Sequence, residues 1–203
     1  MKVSAKILSI LLYPMFIPTY AMGLLCWAVN WMGTPLPAFY VTYLIVGTLC
    51  FTCFIPLTAI LILRQKGIIK DLYINDRTER STPYVYSLLS MVAWWLFLCF
   101  VVKMPTIILL LAGGTIVTLL AVTLINLKWK ISIHLACFGA FTGAITGYCY
   151  YIGFMPIWTI SSVFLTALLL MYSRLYLQAH TPMQVVSGFL LGLLCTFLPA
   201  LFI

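Results

Sequence analysis

The sequence predicts an all-α integral membrane protein, a single domain over residues 1–203 built as a bundle of six to seven transmembrane helices, and three observations predict it. Charged residues make up only 7% of a chain that is 65% hydrophobic, with a mean hydropathy of +1.17, whereas a soluble domain carries about 25% charge. The apolar residues fall in runs near the roughly 20 residues that cross a ~30 Å hydrocarbon core. The connections between runs are too short for a second domain, with no linker, low-complexity stretch or internal repeat.

In chain order the runs lie roughly at 4–28, 37–63, 83–102, 105–126, 133–153, 156–173 and 184–203. The first follows Lys2 and Lys6 and superficially resembles a secretory signal. Its apolar stretch is too long for a signal core and has no clear small-residue cleavage site, so it reads as an uncleaved span. Pro14 and Pro18 free backbone carbonyls within it, which predicts a bend. The second run contains the C-x-x-C of Cys50 and Cys53. With no second pair and no nearby histidine, these read as small packing residues rather than a redox or zinc site. Arg80 and Pro83 shape the entry to the third run, and Lys103 lies between the third and fourth. The fifth and sixth are divided by Gly153 and Pro156 alone, and the seventh closes the chain.

Seven spans alternate the loops between two sides. The amino terminus and the loops at 64–82, 127–132 and 174–183 fall on one side, with Lys2, Lys6, Arg64, Lys66, Lys70, Arg77, Arg80, Lys128, Lys130 and Arg174, while the other side holds Lys103. The same side holds Asp71, Asp76, Glu79, His134 and His180. Setting aside the cations that a substrate would engage (Lys70, Arg77, Arg80, Lys130 and Arg174), the positive-inside rule still makes that face cytoplasmic. The expectation is an integral protein of a bacterial inner membrane with a cytoplasmic-facing polar site. Topology signalling and contact with anionic headgroups is the plainer account of the loop cations, but it does not explain two histidines at one depth. Lys128, Trp129 and Lys130 read as an interfacial anchor; alternatively, Lys130 faces a substrate phosphate. The net charge of +8 is spread over membrane loops, which does not suit nucleic acid.

The acid count excludes several chemistries. Metal-dependent phosphoryl or prenyl transfer needs carboxylates to hold magnesium, and the three carboxylates all lie between Asp71 and Glu79. Asn75 to Glu79 supplies at most half of an aspartate-rich prenyltransferase motif. Two histidines without a convergent acid pair do not complete a zinc hydrolase site, so no metal and no cofactor is expected. Transport is disfavoured because no charged residue sits in the middle of a span. A metal-free phosphate enzyme needs fixed cations, a nucleophile and an acid for the leaving oxygen. Lys70, Arg77 and Arg174 can clamp phosphate. His134 and His180 are the candidates for nucleophile and acid, although a histidine in a membrane helix commonly serves only as an interhelical hydrogen-bonding group.

These residues give the chain a resemblance to the type 2 phosphatidic acid phosphatase superfamily, the lipid phosphate phosphatase and haloperoxidase-like group. Ser173-Arg174, five residues and His180 are similar to its signature S-R-x5-H-x3-D, with Thr181-Pro182, Gly188 and Gly192 similar to the helix that follows. Ser132 and His134 in Ile131-Ser132-Ile133-His134 are similar to P-S-G-H. Lys70, six residues and Arg77 match the spacing of K-x6-R-P, with Thr78 in place of proline. The resemblance covers Lys70 to Gln184. It implies that His180 is the nucleophile, that His134 is the general acid, and that Lys70, Arg77, Ser132 and Arg174 bind phosphate. It implies metal-independent hydrolysis of a lipid or isoprenoid phosphate through a phosphohistidine. Gln184 stands where the family has the aspartate that orients the nucleophilic histidine; its carbonyl can accept the ring's hydrogen bond but brings no charge. The alternative is therefore a family member that binds an anionic lipid or a partner without turnover. The oligomeric state is not encoded in any of these features.

Overall fold

The computed structural model describes residues 2–33, 35–70 and 78–203, and among the described residues it contains helices and no strand. It is an all-α membrane protein. Six helical stretches are long and apolar enough to cross a bilayer: Val3–Asn30, Ala38–Gln65, Ser81–Val102, Thr106–Asn126, Ile157–Tyr176 and Pro182–Phe202. The chain forms two compact units, Met1–Pro14 with Met104–Ile203, and Met15–Lys103.

The expected break in the first run lies at the boundary between the units. Helix α1 (Lys2–Leu11) stops before Pro14, a short 3-10 turn covers Pro14–Phe16, and α2 (Ile17–Trp31) restarts with Pro18 in its first turn. Proline is tolerated there because the first-turn N–H groups have no helical acceptor.

In the Met15–Lys103 unit, α3 (Ala38–Leu49) runs through a π-helical turn, Cys50–Phe54, into α4 (Ile55–Gln65). The Ile55 N–H reaches back five residues to the Cys50 carbonyl. The next residue in that register is Pro56, which has no N–H to offer Phe51. Ser90, on α5 (Ser81–Leu96), donates its hydroxyl to the Phe51 carbonyl instead. A freed carbonyl inside a membrane must find such a partner. The neighbouring Trp94 indole N–H donates to Thr48 Oγ1 at 3.1 Å, and Thr52 Oγ1 donates to the Met15 carbonyl at 3.1 Å. Cys50 and Cys53 lie within the π turn, both as free thiols.

The other unit contains α1, α6 (Thr106–Asn126), α7 (Ile133–Tyr151), α8 (Ile157–Tyr176) and α9 (Pro182–Phe197), closed by a 3-10 turn at Leu198–Phe202. The narrow division between the fifth and sixth runs is a true turn: Gly153 adopts φ +68° and Pro156 precedes α8. Helix α7 is not among the six spans; its glycines, threonines, tyrosines and histidine dilute its hydropathy, and it is packed inside the unit against α6, α8 and α9. Small residues make that packing close. A side chain at Gly192 would run into the Ala136 carbonyl of α7, one at Gly139 into the Phe189 carbonyl of α9, and one at Gly188 would stand 2.7 Å from the Ser132 oxygen. Thr196 Oγ1 crosses the same seam to the Ala140 carbonyl at 2.9 Å. Without a hydrophobic drive between helices in lipid, such backbone approach and interhelical hydrogen bonding are what hold a helix pair.

Candidate functional site

The polar cluster in 173–184 is assembled by two helix ends. Helix α8 closes with Gln178 in the left-handed region, φ +52°. The Gln178 N–H returns to the Leu175 carbonyl at 2.9 Å and the Ala179 N–H to the Arg174 carbonyl at 3.1 Å, the paired bonds of a Schellman motif. The chain thereby reverses within a few residues. Thr181, extended at φ −82°, ψ 161°, then caps α9, whose first helical residue is Pro182.

Gln184 fixes His180. Its Oε1 accepts the Thr181 backbone N–H at 3.2 Å, the side-chain return of a capping box, and lies 3.1 Å from His180 Nδ1. A backbone N–H can only donate, so the amide must present its oxygen, not its NH2, to this point. The neutral imidazole then carries its proton on Nδ1 and keeps its lone pair on Nε2. The capping box thus assigns an orientation that the residue type alone left open, and Thr181 is a member of the site that the Thr-x-x-Gln spacing signals.

The same residue ties α9 to α7. The Ser132 N–H, at the start of α7, donates to the Gln184 carbonyl at 3.2 Å. Ser132 is wholly buried, and its hydroxyl makes no hydrogen bond among the described residues. His134, the second residue of α7 and 9% exposed, meets the ring of Tyr13 edge-on at a centroid distance of 5.4 Å. Arg174 is half-buried, and its Nη1 donates to Ser9 Oγ on α1 at 3.0 Å, beside Ser173 Oγ, which donates to the Ala5 carbonyl at 2.7 Å. The small buried face of α1, Ala5 and Ser9, therefore sits against the end of α8.

An open depression of about 490 Å3 lies over this junction, lined on its polar side by Lys130, Gln178, His180, Thr181 and Gln184 and elsewhere by Leu175 and Pro182. His180 and Gln184 share it. Ser132 joins them through its backbone, while Arg174 and His134 are engaged with α1 and Tyr13 respectively. Lys70 belongs to the other unit, where its exposed ammonium lies 3.7 Å from Glu79 Oε1 and its N–H donates to Glu79 Oε2 at 3.1 Å. Arg77, with Asp71 and Asp76, lies outside the described residues.

The chain matches no protein-family model, no curated protein and no solved structure.

Proposed function

We propose that the protein is a membrane-embedded, metal-independent phosphatase acting on a lipid or isoprenoid phosphate, with His180 as nucleophile. The observation that carries this reading is the pair of hydrogen bonds at Gln184 Oε1, which puts the proton on Nδ1 and makes Nε2 the basic nitrogen of His180, at a depression beside the positive end of α9. Nε2 attacks phosphorus, the bond to the lipid oxygen breaks, and the leaving alkoxide takes a proton from His134 on the adjoining helix. Water then cleaves the P–N bond and releases inorganic phosphate, restoring the imidazole. Incoming phosphate would compete with Ser9 for Arg174, and the Ser132 hydroxyl is a further donor beside α7. The concentration of loop cations on one side supports a cytoplasmic-facing site.

A second reading, anion binding without turnover, is favoured by one observation: the residue holding the imidazole is neutral, so it orients the ring without stabilising its cation. Phosphate release by detergent-solubilised protein, with chelator present, separates the two. The substrates are phosphatidic acid, phosphatidylglycerophosphate and isoprenoid mono- and diphosphates. Release by the wild type that is lost in His180→Ala is expected; release that persists in His180→Ala overturns the phosphohistidine reading, and silence in the wild type favours binding alone.

A further inference from the structure

We propose that Lys130 is the cation that holds a phosphomonoester beside His180, an inference that rests on the phosphate reading of the depression. The run Lys128-Trp129-Lys130 is divided by the way α6 ends. The Lys128 and Trp129 N–H groups both return to the Ile125 carbonyl, at 3.0 and 2.8 Å, and both side chains are exposed, as suits an interfacial anchor. Lys130 comes after this turn, is half-buried, and lines the depression together with His180, Thr181 and Gln184. Its place is fixed from both sides, by the end of α6 and by the bond from the Ser132 N–H to the Gln184 carbonyl two residues later.

That bond also brings the first turns of α7 and α9 together, so two positive helix ends meet at the depression that Lys130 lines. A cation at such a point raises the local potential instead of neutralising it, which suits an anionic ligand. Arg174, the cation that the motif spacing favours, donates to Ser9 on α1. Lys130 shares the depression with the imidazole. A lysine on its flexible stem serves phosphate as a point charge and needs no bidentate geometry.

The test measures binding of two probes, inorganic phosphate and dihexanoyl phosphatidic acid, to the full-length protein in detergent, and phosphate release from the second. Wild type is compared with Lys130→Gln, Lys130→Arg and Lys128→Gln, and unliganded thermal unfolding confirms that each is folded. Loss of a charge-assisted hydrogen bond should weaken binding by about tenfold or more in Lys130→Gln, with most affinity kept in Lys130→Arg and all of it in Lys128→Gln. Tighter binding of the phosphatidic acid than of inorganic phosphate supports a lipid-borne ligand, and equal binding supports free phosphate. Unchanged binding in Lys130→Gln, an equal loss in Lys128→Gln, or no binding of either probe by the wild type overturns the assignment. A wild type that binds through Lys130 but releases no phosphate keeps the assignment and removes the phosphatase. A wild type that hydrolyses with the same KM as Lys130→Gln does the reverse.

Discussion

Gly192→Ala tests whether the α7–α9 seam is held by backbone approach. The added methyl would run into the Ala136 carbonyl and stand 2.6 Å from the Ala140 nitrogen and 2.9 Å from the Ala136 carbonyl carbon. All three are atoms of a helix backbone, which cannot rotate away as a side-chain tip does. Overpacking of this kind costs about 1–3 kcal/mol, and the rigid neighbours place it at the upper end, near 3 kcal/mol. Replacing glycine within a helix returns up to about 1 kcal/mol of propensity. The expected net loss is about 2 kcal/mol, or roughly 4–8 °C in Tm for a chain of this size. Gly23→Ala on α2 is the internal control, because its methyl would meet only Ile45 Cδ1, at 3.9 Å. It should be neutral or stabilising by about 0.5–1 kcal/mol. Thermal unfolding of both variants in the same detergent reads the difference. Equal stability of Gly192→Ala and wild type would refute the close seam and, with it, the rigid frame that joins Ser132 to Gln184.

Gln178→Gly should raise stability by about 0.5–1 kcal/mol, since a left-handed residue with a Cβ costs about 1–2 kcal/mol and glycine gives back part of that gain as unfolded-chain entropy; a lower Tm would count against the helix-end geometry at His180. Gln184→Leu removes the acceptor shared by Thr181 N–H and His180 Nδ1, so it should lose about 1 kcal/mol of stability and about 10²-fold or more in phosphate release, whereas Gln184→Glu keeps both. A Gln184→Leu enzyme with full kcat would show that ring orientation is not limiting.

Much of the fold was legible in the sequence because membrane spans are set by length and hydropathy. The expected runs at 37–63 and 105–126 became Ala38–Gln65 and Thr106–Asn126, and the proline pair at 14 and 18 marked the true break in the first run. The π turn was not legible. It depends on Pro56 withdrawing an N–H and on a hydroxyl, Ser90, supplied by a helix far along the chain. Nor was the role of α7, whose low hydropathy reflects glycines at Gly139, Gly143 and Gly147, spaced to present one small face. The motif spacing named both His180 and Gln184, and the structure brings these two side chains together at the depression. Lys130 reads in sequence as part of an interfacial anchor because an exposed aromatic and two lysines look alike there, and its place along the depression comes only from the turn that ends α6.

Gln184 joins the start of α9 to the orientation of the His180 ring. An aspartate three residues after Thr181 would bring a charge to His180 but has one methylene less with which to reach back to the helix-capping N–H. Glutamine reaches both groups and forces the amide oxygen toward the ring, because the backbone donor leaves it no alternative. The orientation of the imidazole is thus set by the same bond that starts α9, and α9 is in turn clamped to α7 through Gly188, Gly192 and the Ser132–Gln184 bond. A loosened seam and a misoriented histidine are therefore one defect seen at two depths. Gly192→Ala, about two helical turns beyond Gln184 on α9, should lose phosphate release at temperatures below its unfolding transition, and Gly23→Ala should not.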